Sequence, residues 1–123
     1  MLHAVGTGRD GRKTLTSAID IDLRTYATDP WRASVNQSLI RSYRLAGNTD
    51  KAQQHLAQAL EIGVTRIREH PDSAKAAYSY GRTLQLAGRR PDALEQFTRA
   101  YDFDRTSSKY RKAYYSARAA SAP

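Results

Sequence analysis

Several residue types and patterns that would indicate particular chemistries are missing from this sequence. It contains no cysteine, which rules out disulfides, thiolate nucleophiles and cysteine metal ligands. It has one tryptophan and two phenylalanines, and no apolar run approaches the ~20 residues that a membrane-spanning helix requires. These absences exclude disulfide scaffolds, cysteine chemistry and bundles of membrane-spanning helices.

The first residues also lack the apolar stretch of a secretory signal. The chain has 123 residues, of which 40% are hydrophobic and 26% are charged, as expected for one soluble domain. We therefore expect a cytoplasmic location by default. The sequence is also compatible with a piece cut from a longer protein.

Acidic residues are scarce relative to basic ones. The chain has 20 lysines and arginines but 12 aspartates and glutamates, which gives a formal net charge of +8. Such an excess indicates an acidic partner, which can be a nucleic acid, an anionic membrane surface or an acidic protein segment.

An internal repeat is present. Leu45-Ala46-Gly47 recurs as Leu86-Ala87-Gly88, 41 positions later. At the same offset, further small, apolar and basic residues match: Ala33 with Ala74, Arg41 with Arg82, Ala52 with Ala93, Leu56 with Phe97, and Ala59 with Ala100. Because small and apolar residues determine how closely helices approach, the matches predict two copies of one packing unit.

Each copy is predicted to be a helix pair. In the first copy, Asp29-Pro30 begins a helix, Gly47 ends it in a left-handed conformation, and Asn48-Thr49 caps a second helix that ends before Pro71. In the second copy, the corresponding signals are Asp72-Ser73, Gly88 and Pro91. Apolar residues at helical spacing, including Val64 in the first copy and Phe103 in the second, are expected to face inward.

The spacing within each copy resembles the tetratricopeptide repeat, W-x2-L-G-x2-Y followed by A-x3-F. The second copy reads Ala77-x2-Tyr80-Gly81-x2-Leu84, then Ala93-x3-Phe97-x2-Ala100; the first reads Asn36-x2-Leu39-Ile40-x2-Tyr43, then Ala52-x3-Leu56-x2-Ala59. Three departures stand out: Asn36 or Ala77 fills the large aromatic position, Arg105 replaces the closing proline, and the offset is 41 rather than 34. Seven extra residues equal about two helical turns, so they can lengthen the helix that ends at Glu69-His70.

The resemblance implies an all-α fold in which antiparallel helix pairs stack as a short right-handed solenoid of about six helices. The expected segments are a flexible N-terminus (1–13), a partial repeat helix (14–28), repeat 1 with a lengthened second helix (30–70), repeat 2 (72–105) and a C-terminal capping helix (107–120).

The basic residues are distributed unevenly among the predicted helices. In proteins resembling these, the first helix of each pair lines the concave face; here those helices and the last helix carry nine positive residues and no negative one. Arginine suits carboxylate or phosphate ligands because its guanidinium pairs with both in a bidentate manner. The candidate partner-binding residues are Arg41, Arg44, Lys75, Tyr78, Arg82, Gln85, Lys109 and Lys112.

The sequence thus predicts a non-catalytic scaffold or adaptor that binds an acidic peptide or protein in a basic concave groove. One alternative is a nucleic-acid or ribonucleoprotein binder, in which Tyr110, Tyr114 and Tyr115 would stack on bases. Another is a structural subunit that forms a homo-oligomer or joins a larger complex, since two repeats are fewer than the usual three. A more specific form of peptide binding is a chaperone-type carboxylate clamp, which uses a lysine and an asparagine on successive turns of the first helices. The comparable positions here are Gln37 and Arg41, so both of those residues are missing.

No catalytic, cofactor or metal site is predicted. Gly6-x-Gly8-x-x-Gly11 matches a dinucleotide fingerprint in letters only, because no parallel-sheet pattern surrounds it. His3, His55 and His70 lie far apart without ligand-spaced partners, and we expect all three at the surface.

Overall fold

A computed structural model describes residues 9–121 of the chain, with side chains from residue 14 onward. In that part, all regular structure is helical, which confirms the predicted all-α class. The six helices are α1 (Arg9–Thr28), α2 (Ala33–Leu45), α3 (Thr49–Glu69), α4 (Ala74–Leu86), α5 (Arg90–Phe103) and α6 (Ser108–Ser121).

The N-terminal segment differs from the sequence-based expectation. Residues 1–8 of the predicted flexible segment 1–13 lie outside the described residues. The rest of that segment belongs to α1, which begins at Arg9 instead of residue 14.

The helices pack as a linear stack. Each helix contacts the next one along the chain, and α2 also contacts α4. This arrangement places α2 and α4, the first helices of the two pairs, side by side, with α3 and α5 as the second helices. A helical-repeat solenoid is therefore confirmed.

The turns within the two repeats have the predicted chemistry. Gly47 and Gly88 have φ angles of 77° and 75°, a left-handed conformation that glycine adopts without steric cost. The side chains of Asn48 and Ser73 each accept a hydrogen bond at 3.1 Å from the backbone N–H three residues later. These caps fix where α3 and α4 begin.

The predicted start of α2 at Asp29-Pro30 is wrong, because the helix begins only after Arg32. The Pro30 carbonyl accepts hydrogen bonds from the side-chain amides of Asn36 at 3.0 Å and Gln58 at 2.6 Å. These bonds hold the segment before the helix as a turn. Arg32 itself caps α2 without a side-chain hydrogen bond.

The extra residues of repeat 1 lie in α3. This helix has 21 residues, whereas α5 has 14, a difference of seven. The prediction that Val64 and Phe103 face inward is wrong, because their side chains are 40% and 43% exposed. The buried stripe of α3 instead continues through Ile62 and Gly63. A Cβ at position 63 would collide with the Tyr80 ring, so only glycine fits there.

Repeat 1 contains a buried polar cluster. Asn36 is fully buried, and its Oδ1 lies 2.9 Å from Nδ1 of His55. The His55 ring packs edge-on against Tyr26 and stacks on Tyr43 at centroid distances of 4.9 and 5.7 Å. The expected surface position of His55 is therefore wrong. Burial, followed by the nearby charge of Lys51, lowers the pKa of His55.

Repeat 2 lacks this polar pair: Asn36 is replaced by Ala77 and His55 by Gln96 at the repeat offset. Ala77 is fully buried, and Phe97 is 1% exposed. A Cβ on Gly81 would lie 2.7 Å from Cε1 of Phe97, so the missing side chain lets the ring pack directly against α4. In repeat 2 the large aromatic position of the motif, on α4, is occupied by Ala77. The ring that packs in this part of the interior is that of Phe97 on α5.

Candidate partner-binding groove

Five of the eight candidate partner-binding residues line one groove between α4 and α6. Its volume is about 350 Å³, and Phe97 of α5 contributes to its lining. The five predicted residues are Tyr78, Arg82, Gln85, Lys109 and Lys112, and the groove is completed by Ala113 and Ser116. The packing of the last helix against the second repeat therefore assembles most of the predicted site.

Tyr78 holds two of the groove's cations in place. Its hydroxyl accepts a hydrogen bond from Nη1 of Arg82 at 2.9 Å. The Nζ atom of Lys109 lies 5.0 Å from the centre of the Tyr78 ring, within the range of a cation–π interaction. The ring itself packs against Phe97 and Tyr110. These contacts orient the cations without neutralising them.

The groove's positive charges have no carboxylate partner among residues 14–121. Within this range, both ion pairs lie at the ends of α5: Arg89 with Asp92 at 2.7 Å, and Arg105 with Asp102 at 2.6 Å. Arg82, Lys109 and Lys112 form no ion pair there, so they present net positive charge to any ligand that enters the groove.

The other three candidates lie elsewhere. Arg41 is exposed on α2, outside the groove lining. The Nη2 atom of Arg44 donates a hydrogen bond to the Leu86 carbonyl at 2.8 Å, linking α2 to the C-terminal end of α4. Lys75 lines a different pocket at the opposite end of α4. The predicted residues thus fall into one cluster of five and three separate positions.

The structure does not favour a carboxylate clamp at Gln37. This side chain is buried, and its Nε2 atom donates to the Ser79 carbonyl at 3.0 Å and to Oγ1 of Thr83 at 2.9 Å. The amide therefore joins α2 to α4 and is engaged within the protein.

The tyrosines considered for base stacking are mostly occupied by other rings. Tyr110 packs on Tyr78, and Tyr114 stacks on Tyr101 with a centroid distance of 5.5 Å. Burial, followed by the charge of Asp104, raises the pKa of Tyr110 above its ordinary value. Of the three tyrosines on α6, Tyr115 has the most exposed side chain, at 51%.

Sequence reasoning did not identify a second pocket, between the N-terminal ends of α2 and α4 and the C-terminal half of α3. Its volume is about 440 Å³, and Trp31, Arg66 and His70 contribute to its lining. The seven-residue difference between the two repeats was the signal that could have located it.

The described part of the chain holds neither a metal-ligand cluster nor a membrane-spanning helix. Between residues 14 and 121, no group of three or more histidine, aspartate or glutamate side chains is arranged to hold a metal ion. None of the described helices combines the length and apolar character required to cross a membrane.

The geometry agrees with the comparisons with known proteins. A family model described as tetratricopeptide repeat matches residues 31–106, which is more than half of the chain. No curated protein matches the chain. Tetratricopeptide repeats generally mediate protein–protein interactions, so protein partners follow from the match. The chain belongs to the tetratricopeptide repeat family.

Proposed function

We propose that this protein is a non-catalytic scaffold that binds an acidic peptide or protein segment in the groove between α4 and α6. The observation that carries the proposal is the set of three cations, Arg82, Lys109 and Lys112, around one groove without carboxylate partners among residues 14–121. A ligand that supplies carboxylates would neutralise these unpaired positive charges.

The groove can recognise more than charge. Arg82 can pair with a carboxylate in a bidentate manner while its own position is held by Tyr78. The half-buried Tyr78 ring and Ala113 provide apolar surface beside the cations, and the Gln85 amide can bond to a peptide backbone. We therefore expect a preference for acidic residues interspersed with apolar ones.

A binding role fits the groove better than a catalytic one. The side chains that line it include no carboxylate and no histidine. General acid–base chemistry near pH 7 most often uses these groups, so the lining offers cations, hydroxyls and an amide for binding instead.

Selection from a random peptide library displayed on phage would test this proposal. We expect wild-type protein to enrich peptides rich in aspartate and glutamate, and Arg82→Glu/Lys112→Glu to lose that enrichment. The matched control is Arg68→Glu/Arg90→Glu, which reverses two exposed charges on the second helices. Circular dichroism should show equal helix content in all three proteins.

The outcome also separates the proposal from nucleic-acid binding by the same basic surface. Binding of a selected peptide should depend on its sequence at constant charge, whereas nucleic-acid binding should follow the number of phosphates neutralised and weaken steeply with salt. Equal enrichment by wild type and the groove variant would contradict the proposal.

A further inference from the structure

The part of α3 without a counterpart in repeat 2 forms one wall of the second pocket. At the repeat offset of 41, Thr49 corresponds to Arg90 and Ile62 to Phe103, the last residue of α5. Residues 63–69 are therefore the additional two turns. Gly63 and Arg66, both in this extension, line the pocket, so the pocket depends on a feature that repeat 2 lacks.

Positive charge dominates the pocket. Arg32 comes from the start of α2, Arg66 from the extension of α3, and Lys75 from the first turn of α4. The one carboxylate in the lining is that of Asp29, which leaves a formal excess of two positive charges with His70 neutral. None of the three cations forms an ion pair within residues 14–121.

The pocket also offers hydrogen-bond donors. It lies at the N-terminal ends of α2 and α4, where the first-turn N–H groups have no acceptor within the helix; in α4 the Ala76 N–H is already bonded to the Ser73 side chain. Arg32 provides no side-chain cap for α2, so the first-turn N–H groups of that helix lack a side-chain acceptor. The hydroxyls of Ser34 and Ser79 also contribute to the lining.

We propose that this pocket binds a phosphate group, either as inorganic phosphate or as the monoester of a small molecule. A phosphate dianion matches the two excess positive charges. Its oxygens can accept from arginine, lysine, hydroxyl and helix N-terminal N–H donors at the same time. The Trp31 ring, which is 42% exposed at the edge of the pocket, gives an aromatic surface for the organic part of a monoester.

Trp31 also provides the measurement. It is the one tryptophan in the sequence, so intrinsic fluorescence reports on this pocket. The protein is titrated with inorganic phosphate at constant ionic strength, and in a second series with phenyl phosphate. We expect a saturable change in fluorescence; tighter binding of phenyl phosphate would identify a monoester as the ligand, and equal binding would identify free phosphate.

The variants separate a specific pocket from general charge. Arg66→Gln and Lys75→Gln should each weaken phosphate binding by about tenfold, since each removes a charge-assisted hydrogen bond. Arg68→Gln, which changes an exposed arginine of the same extension outside the pocket lining, should bind as wild type. Arg82→Gln, in the peptide groove, should also bind phosphate as wild type, so failure of one site leaves the other testable.

Two results would overturn the proposal. One is the lack of saturation in both fluorescence and isothermal titration calorimetry of the wild-type protein. The other is an equal loss of affinity in Arg68→Gln and Arg66→Gln, which would mean that phosphate responds only to net charge.

Discussion

The two repeats share one backbone plan but fill their interiors with different chemistry. In repeat 1, Asn36 and His55 form a buried hydrogen-bonded pair. At the repeat offset of 41, these positions become Ala77 and Gln96. Ala77 has no polar group to offer, and Oε1 of Gln96 is buried without a hydrogen-bond partner among the described residues. Repeat 2 depends instead on Phe97.

This difference shows that the fold depends on where small residues and turns lie more than on what fills the space between helices. Both repeats keep a left-handed glycine between their helices and alanines at the matching packing positions. The remaining interior holds a paired polar cluster in repeat 1 and, in repeat 2, a buried ring beside an amide oxygen that is unpaired within the described chain.

The largest effect is expected from removing the ring that fills repeat 2. Phe97→Ala should lower the free energy of unfolding by roughly 3–5 kcal/mol, because it deletes a fully buried aromatic side chain and leaves a cavity. Urea unfolding followed by circular dichroism measures this. Tyr115→Ala removes an exposed ring as the control, and an equally small loss in both variants would contradict the assigned role of Phe97.

A smaller loss is expected when the polar pair of repeat 1 is broken. Asn36→Ala should cost about 1–3 kcal/mol, since it leaves His55 Nδ1 and the Pro30 carbonyl each without a bond to Asn36. A double-mutant cycle with His55→Ala isolates the interaction between the two side chains. Additive effects of the two changes would show that the hydrogen bond contributes nothing to stability.

The buried Oε1 of Gln96, which lacks a hydrogen-bond partner among the described residues, predicts a gain in stability. Gln96→Met keeps a similar volume and removes the unpaired acceptor, so it should raise the free energy of unfolding by about 1 kcal/mol. The matched control is Gln37→Met, which removes an amide with two hydrogen bonds and should destabilise the protein. A loss of stability in Gln96→Met would show that the side chain is paired in solution.

The smallest effect concerns pH. The pKa of His55 lies below its ordinary value of about 6.5, mainly because of burial. As the pH falls below 6.5, the unfolded chain takes up a proton at His55 that the folded chain does not, so the free energy of unfolding decreases until the lower folded pKa is passed. Urea midpoints between neutral and mildly acidic pH should therefore fall less in His55→Gln than in wild type.

The control for this pH dependence is His70→Gln, which removes an exposed histidine. The pH dependence of its urea midpoint should remain closer to wild type than that of His55→Gln. If the urea midpoints of wild type and His55→Gln fall equally with pH, the lowered pKa of His55 is contradicted.

Much of the fold could be predicted because local chemistry determines it. Glycine is nearly alone in adopting a left-handed conformation cheaply, so Gly47 and Gly88 located both turns. Asn48 and Ser73 cap helices through bonds to neighbouring backbone. Such features need no knowledge of the tertiary structure.

The errors arose where tertiary contacts override local preference. Asp29-Pro30 has the chemistry of a helix start, but Asn36 and Gln58 hold the Pro30 carbonyl in a turn. The expectation that His55 lies on the polar side of its helix is wrong, because it shares the helical stripe of its buried neighbours on α3. Its spacing would have been the better guide.

The candidate site was only partly predictable for the same reason. Sequence periodicity indicated which residues belong to first helices, and five of the eight candidates line one groove. Periodicity could not indicate that Arg44 donates a hydrogen bond to the Leu86 carbonyl at the end of α4, since that contact depends on the distance between neighbouring helices. The pocket beside Arg66 required the position of the α3 extension.

The central claim is that the groove between α4 and α6 recognises acidic peptides through its cations, and a charge-swap experiment tests it most directly. Fluorescence anisotropy measures binding of a selected acidic peptide and of its charge-inverted, lysine-substituted counterpart to wild type and to Arg82→Glu/Lys112→Glu. We predict that wild type binds only the acidic peptide and that the variant loses it and gains the basic one. Retention of the acidic peptide by the variant would contradict the account.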